Sequence, residues 1–206
     1  MTTIEVATSA DGRAARSART RDAVVEAFLE LLDAGDRQPT AQRVAARAGV
    51  SVRSVYVRFE DLDAVMVSAA QRQWERVLAI AEPLPASGPL PMRLDAFVAQ
   101  RCRVLELIAP VRRAAEAQEP DSPALASLLA WARQTARDEI GRVFALELEP
   151  LPRAARTRLL DALDVAAGTT TWEALRRHQG RSAGAARRVV AEMLAAVLAR
   201  VSNHEE

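Results

Sequence analysis

The sequence has little of what disulfide-rich, metal-binding or thiol-dependent proteins are built from. It contains no lysine, two histidines, and a single cysteine, Cys102. One cysteine excludes an intramolecular disulfide framework, and so few cysteines and histidines argue against a zinc site. We therefore expect a protein of the reducing cytoplasm without metal or cofactor, in which Cys102 is a small buried apolar residue.

Long apolar runs and aromatic side chains are also scarce. No stretch reaches the roughly 18 apolar residues that a transmembrane helix needs, and residues 1–10 lack the layout of a secretory signal. Aromatic residues make up 4% of the chain, while alanine, leucine and arginine dominate. This composition favours helices over sheets and predicts an all-α protein that does not enter a membrane.

The charge is distributed unevenly along the chain. The net charge of the 206 residues is only +1. The segment from Arg13 to Phe59 nevertheless holds nine arginines against five acidic residues, so the remainder is net acidic. This asymmetry predicts an N-terminal surface that binds a polyanion and a body with another task.

Apolar periodicity and chain breakers predict about nine helices. The first covers residues 17–34, and two short helices follow over 41–48 and 51–59. A long helix over 61–82 ends in a proline-rich linker at 83–89. Further helices are predicted over residues 90–108, 111–118, 123–146, 153–179 and 183–202.

The two short helices have the features of a helix-turn-helix. Such a motif needs a small residue where the helices cross and a turn residue that tolerates left-handed geometry, and Ala45 and Gly49 meet these needs. Thr40 and Ser51 are favourable N-cap residues for the two helices. The apolar anchors between the helices are Val44, Val50, Val55 and Phe59.

The other faces of the second short helix carry side chains that suit double-stranded DNA. Arginine can donate a bidentate pair to guanine, whereas Ser, Thr and Tyr hydroxyls bond mainly to phosphates. We predict that Arg53 reads a base and that the remaining polar side chains position the backbone. The predicted DNA-binding residues are Thr40, Arg43, Ser51, Val52, Arg53, Ser54, Tyr56 and Arg58.

These residues resemble a known family of regulators. The motifs are Pro-Thr at 39–40, Val-Ala at 44–45, Ala-Gly-Val-Ser at 48–51 and Tyr-Val-Arg-Phe at 56–59. Through them the region from Arg19 to Met66 resembles the tetracycline-repressor (TetR) family of bacterial transcriptional regulators. The resemblance implies a homodimer that binds a palindromic operator and is released from it by a small-molecule effector.

The resemblance also implies a division of the chain. A flexible basic N-terminal arm is expected over residues 1–16, and a three-helix helix-turn-helix domain over residues 17–60. A helical effector-binding and dimerisation domain is expected over residues 61–206.

The residues after the motif depart from the family pattern. The family usually continues with Pro-Ser-Lys, whose lysine commonly contacts phosphate, whereas residues 60–62 here read Glu-Asp-Leu. That contact is expected to be lost, and Leu62 receives no DNA role. Arg13, Arg16 and Arg19 are expected to restore part of the positive charge; alternatively, they belong to a solvated tail.

The last two helices carry apolar stripes that suit a dimer interface. By the resemblance they pair with the same helices of a second copy in a four-helix bundle; alternatively, the stripes close the core of a single chain. The predicted interface residues are Leu159, Leu163, Ala166, Ala167, Thr170, Val190, Met193, Leu194, Val197 and Val201.

Candidate effector contacts combine apolar, aromatic and polar residues of the body. Arg101 interrupts an apolar stripe, which indicates an internal carboxylate partner, a snorkelling side chain, or contact with an anionic or polar ligand. Trp131 and Trp172 are expected in the protein core rather than in a binding site. The candidate ligand-binding residues are Phe97, Arg101, Leu105, Trp131, Thr135, Asp138, Thr169 and Trp172.

Two other functions remain open at the level of sequence. One is a helical enzyme that uses the body pocket, although no glycine-rich phosphate loop, metal-spaced cluster or activated nucleophile supports it, and no catalytic residue is assigned. The other is a helix-turn-helix adaptor that binds protein partners without sequence-specific DNA binding.

Overall fold

The computed structural model describes residues 4–202, with the side chains of residues 14–199. All regular elements in this range are helical, which confirms the prediction of an all-α fold. The α-helices are α1 (Ile4–Asp33), α2 (Ala41–Ala48), α3 (Val52–Arg58), α4 (Leu62–Ile80), α5 (Leu90–Gln118), α6 (Pro123–Val143), α7 (Ala145–Leu148), α8 (Arg153–Ala166), α9 (Thr169–Glu173) and α10 (Ala183–Ser202).

The predicted break near Pro110 was wrong, because α5 continues through this residue to Gln118. A proline inside a helix removes one backbone hydrogen bond and costs about 3 kcal/mol. Buried side chains on both sides offset this cost, with Leu105 before the proline and Val111 and Ala114 after it. Packing therefore outweighs the local breaker.

The single helix predicted over residues 153–179 is interrupted at Gly168. A β-carbon on Gly168 would lie 2.9 Å from the carbonyl oxygen of Asp164, so this close turn requires glycine. The Thr171 hydroxyl donates to the carbonyl oxygen of Val165 at 2.6 Å and ties the two helices together. Helix α9 then continues into one turn of π-helix, Ala174–His178.

The chain forms two compact units. The N-terminal unit contains the chain up to Arg76 and the segment Pro110–Ala126, and the C-terminal unit contains Val77–Ala109 and the chain from Ser127. Helices α4, α5 and α6 contribute residues to both units. The two units are defined by which residues pack together and not by function. The predicted functional division at residues 16 and 60 therefore stays a prediction.

The core of the C-terminal unit is built around aromatic side chains. The rings of Phe97 and Phe144 pack edge to face, with centroids 5.3 Å apart. Trp172 is buried, and its indole N–H donates to the Glu106 carboxylate at 3.0 Å. The Arg176 guanidinium donates to the same carboxylate from Nε at 2.9 Å and from a terminal nitrogen at 2.6 Å.

Two arginines of α5, Arg93 and Arg101, are buried in this unit, and Arg93 is the more completely paired of the two. Arg93 donates to the backbone carbonyls of Gly88 and Val143 and to the Glu147 carboxylate. Its side chain is 1% exposed. A guanidinium this deep is stable only because its charge and donors are paired.

Cys102 is buried, as predicted. Burial raises the pKa of the Cys102 thiol to about 11, so the group stays protonated at neutral pH. A protonated, enclosed thiol is a poor nucleophile.

In the part of the chain that the structure describes, no helix is both long enough and apolar enough to cross a bilayer. Within the same residues, no three side chains of His, Cys, Asp or Glu gather where they could hold a metal ion.

Candidate nucleic-acid interface

Helices α2 and α3 begin at capped N-termini, as the sequence predicts. The hydroxyl oxygen of Thr40 accepts a hydrogen bond from the backbone N–H of Arg43 at 3.4 Å. At α3 the Ser51 hydroxyl oxygen accepts from the backbone N–H of Ser54 at 3.1 Å. Side-chain caps satisfy donors that the first helical turn leaves unpaired and so define where each helix starts.

Gly49 reverses the chain between the two helices. Its φ of +67° lies in the left-handed region, which glycine adopts without strain. The backbone N–H of Val50 then donates to the carbonyl oxygen of Ala45 at 3.0 Å, closing the end of α2. The turn predicted from the spacing of Ala45 and Gly49 is present.

Buried side chains hold α3 against the rest of the N-terminal unit. Val44, Val55 and Phe59 are each at most 3% exposed. Phe59 also ends α3, where its backbone N–H donates to the Val55 carbonyl at 2.9 Å. These anchors fix which face of α3 is turned outward.

The outward face of α3 carries Arg53, Tyr56 and Val57, all exposed. At 3.6 residues per turn, Arg53 and Val57 lie about 160° and 200° around the helix axis from the buried Val55. Both residues therefore lie on the side of α3 opposite the buried Val55, each about 20° from the middle of that face. Val57 was not among the predicted DNA-binding residues, although its spacing of four from Arg53 indicates a shared face.

The other predicted residues of α3 lie on its flanks. Ser51 is exposed, and its hydroxyl lies 2.8 Å from that of Ser54. Val52, Ser54 and Arg58 are half-buried. Their reach toward a ligand is therefore smaller than that of Arg53 or Tyr56.

The predicted contacts from the first short helix are exposed, and one of them forms an ion pair. Thr40 and Arg43 are both at the surface. An Arg43 terminal nitrogen lies 2.6 Å from the Asp36 carboxylate. Because a guanidinium has five N–H donors, this pair orients Arg43 and leaves donors for a second acceptor.

Arg21 of α1 connects three elements at the end of α3, a role that sequence reasoning missed. Its guanidinium donates to the carbonyl oxygen of Arg58 at 3.1 Å and to the Ser68 hydroxyl of α4 at 2.9 Å. It also lies 4.2 Å from the centroid of the Phe59 ring. No local pattern reveals these partners, because they lie 37 to 47 residues along the chain.

Replacing Arg21 by methionine is expected to lower the free energy of unfolding of the N-terminal unit by about 0.5–1 kcal/mol. This is the range for a cation–π contact at an exposed site, and the hydrogen bonds there are also open to water. Urea unfolding followed by circular dichroism measures the change. Arg19→Met, at an exposed position of the same helix, is the control; equal stability of the two variants would contradict the role of Arg21.

Helix α4 begins with an acidic cap where the TetR pattern has Pro-Ser-Lys. The Asp61 carboxylate accepts from the backbone N–H of Ala64 at 2.8 Å, and Leu62 is half-buried. Residues 60–66, at the start of α4, include no basic side chain that could contact a phosphate. Arg16 and Arg19 are exposed on α1, which begins at Ile4 and not at residue 17, and the side chain of Arg13 lies outside those described.

The predicted dimer residues divide into two groups. Most of them are buried in the core of the C-terminal unit itself, as the alternative interpretation expected. These are Leu159, Leu163, Ala166, Ala167, Val190 and Leu194. Thr170 and Met193 are exposed, Val197 is half-buried, and the side chain of Val201 lies outside those described.

The candidate ligand-binding residues do not share one environment. Trp131 and Asp138 are exposed on α6, with Thr135 and Thr169 half-buried. The remaining four are buried in the C-terminal unit: Phe97, Arg101, Leu105 and Trp172. A core position is therefore confirmed for Trp172 and wrong for Trp131, which is 47% exposed.

Arg101 has the internal carboxylate partner that one interpretation of its position required. It donates to the Glu139 carboxylate at 3.0 Å and to the backbone carbonyl of Ala136 at 2.9 Å, and it lies 5.1 Å from the Phe97 ring centroid. Burial lowers the pKa of Arg101, and the negative charge of Glu139 opposes this shift. Its Nε atom is buried without a hydrogen-bond partner among the described residues.

Comparison with known proteins identifies a shared fold. No family model matches the chain, and no curated protein matches it in sequence. The chain is similar to the crystal structure of a transcriptional regulator from Rhodococcus sp. Rha1, with a TM-score of 0.65 and 18% sequence identity. The match covers 88% of this chain and 95% of the other. The chain therefore has the fold of that transcriptional regulator.

Proposed function

We propose that the chain is a sequence-specific DNA-binding transcriptional regulator of the cytoplasm. The observation that carries the proposal is the outward face of α3, where Arg53 and Tyr56 are exposed on a helix fixed by Ser51, Val55 and Phe59. Arginine on such a helix can pair with guanine in the major groove, and a tyrosine hydroxyl can bond phosphate. The fold shared with a transcriptional regulator supports the same function.

The regulator is proposed to act as a homodimer on a palindromic operator. Two recognition helices related by a twofold axis meet successive major grooves when they are about 34 Å apart. The outer faces of α8 and α10 suit a contact with a second copy, because Val165 is 69% and Met193 38% exposed there. Thr170 and Val197 would contribute to the same interface.

A small-molecule effector is proposed to release the DNA by a population shift. Its binding would favour a conformation of the body that holds the two recognition helices at an unsuitable separation. The candidate contacts of the body, Arg101 foremost among them, remain the residues to test. An anionic or polar effector would compete with Glu139 for the Arg101 guanidinium.

The central test is a titration of the full chain against the DNA that flanks its own gene. It is run at two salt concentrations, with a scrambled duplex as competitor. Binding that resists the competitor and weakens with salt is expected. If all duplexes from the flanking DNA bind as weakly as the scrambled duplex, the chain has no operator beside its own gene, and the adaptor function is favoured.

Arg53→Ala is expected to lower the discrimination between operator and random DNA by about 1–3 kcal/mol, since it removes a bidentate base contact. Competition binding measures the ratio of the two dissociation constants. Arg43→Ala is the matched comparison, because loss of a phosphate contact weakens binding to both duplexes alike. Unchanged discrimination in Arg53→Ala would exclude base reading by this residue.

A further inference from the structure

Val57 is the most exposed apolar side chain of α3, at 62%. A single exposed valine is ordinary on a protein surface, so exposure alone indicates no function. What distinguishes Val57 is its position on the face of α3 that lies opposite the buried Val55.

Arg53 and Val57 are four residues apart and are therefore neighbours on this face. Side chains with this spacing on a helix have their β-carbons about 5–6 Å apart. Tyr56 lies about 80° from the middle of the face and Ser54 an equal angle on the other side, so neither comes between them. In the proposed complex, Arg53 and Val57 are thus the pair that points most directly at the base edges.

The chemistry of valine restricts what it can recognise there. Its side chain has no hydrogen-bond donor or acceptor, so placing it against a polar base edge removes water from that edge without replacing the hydrogen bond. The major groove offers one apolar feature, the C5-methyl group of thymine. Apolar contact with this methyl group is therefore the favourable interaction that a valine can make in the groove.

We propose that Val57 is a specificity-determining residue that selects thymine through its C5-methyl group, beside a guanine read by Arg53. Base pairs are stacked 3.4 Å apart, so a separation of 5–6 Å places the two bases within about two base pairs of each other. Each operator half-site would then contain both bases. This inference rests on the proposed function.

The test begins with selection of bound duplexes from a randomised library by the full chain. Each thymine of the selected half-site is then replaced by deoxyuridine, which removes the methyl group and keeps every hydrogen-bonding atom. At one thymine per half-site, this replacement is expected to weaken binding by about fourfold, the effect of one buried methyl group.

The variant Val57→Ser is expected to bind the thymine and deoxyuridine duplexes equally well. Leu146→Ser is the control, because it replaces an exposed apolar side chain of α7, outside the proposed DNA-binding and dimer surfaces, and should retain the fourfold preference. Circular dichroism confirms that both variants are folded. If Val57→Ser keeps the preference, or if no thymine responds to loss of its methyl group, the assignment is overturned while the proposed function stands. If the chain selects no sequence from the library, the proposed function itself fails.

Discussion

Replacing Arg93 by methionine is expected to lower the free energy of unfolding of the C-terminal unit by about 3–5 kcal/mol. The guanidinium donates to the Val143 carbonyl at 2.7 Å and to Glu147 Oε2 at 2.9 Å, and the Glu147 side chain is only 16% exposed. Methionine fills a similar volume and offers no donor, so it leaves a largely buried carboxylate and a carbonyl unpaired. Breaking a buried ion pair by removal of one partner has an effect of this size.

Urea unfolding followed by tryptophan fluorescence measures the effect, since Trp131 and Trp172 belong to this unit. Arg103→Met, at an exposed position of the same helix, is the control and should change stability by less than about 0.5 kcal/mol. The double variant Arg93→Met/Glu147→Leu removes both charges and is expected to recover most of the loss. If the double variant does not recover stability, the loss in Arg93→Met comes from the missing contacts of Arg93 and not from the unpaired charge of Glu147.

Phe59→Ala is expected to destabilise the N-terminal unit by about 3–5 kcal/mol and to abolish DNA binding. The ring is 3% exposed and ends α3, and the Arg21 guanidinium lies against it. Its removal opens a cavity under the recognition helix, and large-to-small changes of buried phenylalanine have effects of this size. Without this anchor, the outward face of α3 loses its fixed orientation.

Thermal unfolding and titration with the selected operator check the two parts of this prediction. Phe59→Leu keeps most of the volume and is expected to cost less than about 1.5 kcal/mol. Tyr56→Ala, at an exposed position of the same helix, should leave stability nearly unchanged and weaken only DNA binding. A Phe59→Ala protein that unfolds at the wild-type temperature would contradict the anchoring role.

The parts of the fold that were predictable depend on interactions between near neighbours in the chain. The bounds of α2, its cap at Thr40 and the turn at Gly49 follow from side chains within a few residues of the backbone groups they satisfy. The same applies to Ser51 and α3. Composition and periodicity were sufficient for the helical class as well, because residue types carry helix propensities and the spacing of apolar residues marks one side of a helix.

Periodicity could not say what an apolar stripe packs against. Leu163 and Leu194 belong to stripes that suit a dimer interface, yet both are buried in the core of their own unit. Likewise, Pro110 has a strong local tendency to end a helix, and buried neighbours on both sides carry α5 past it. In each case, packing with distant residues decides between structures that are locally equivalent.

The sequence by itself determined the all-α class and the capped helix-turn-helix with its candidate base reader, Arg53. Only the tertiary structure decided the partners of Arg21, Arg93 and Arg101 and the exposure of Val57 beside Arg53. The physical reason is the distance along the chain over which each interaction acts. Caps and turns are satisfied within a few residues, whereas a guanidinium that bonds a carbonyl 50 residues away, as Arg93 bonds Val143, is placed by the packing of the whole unit.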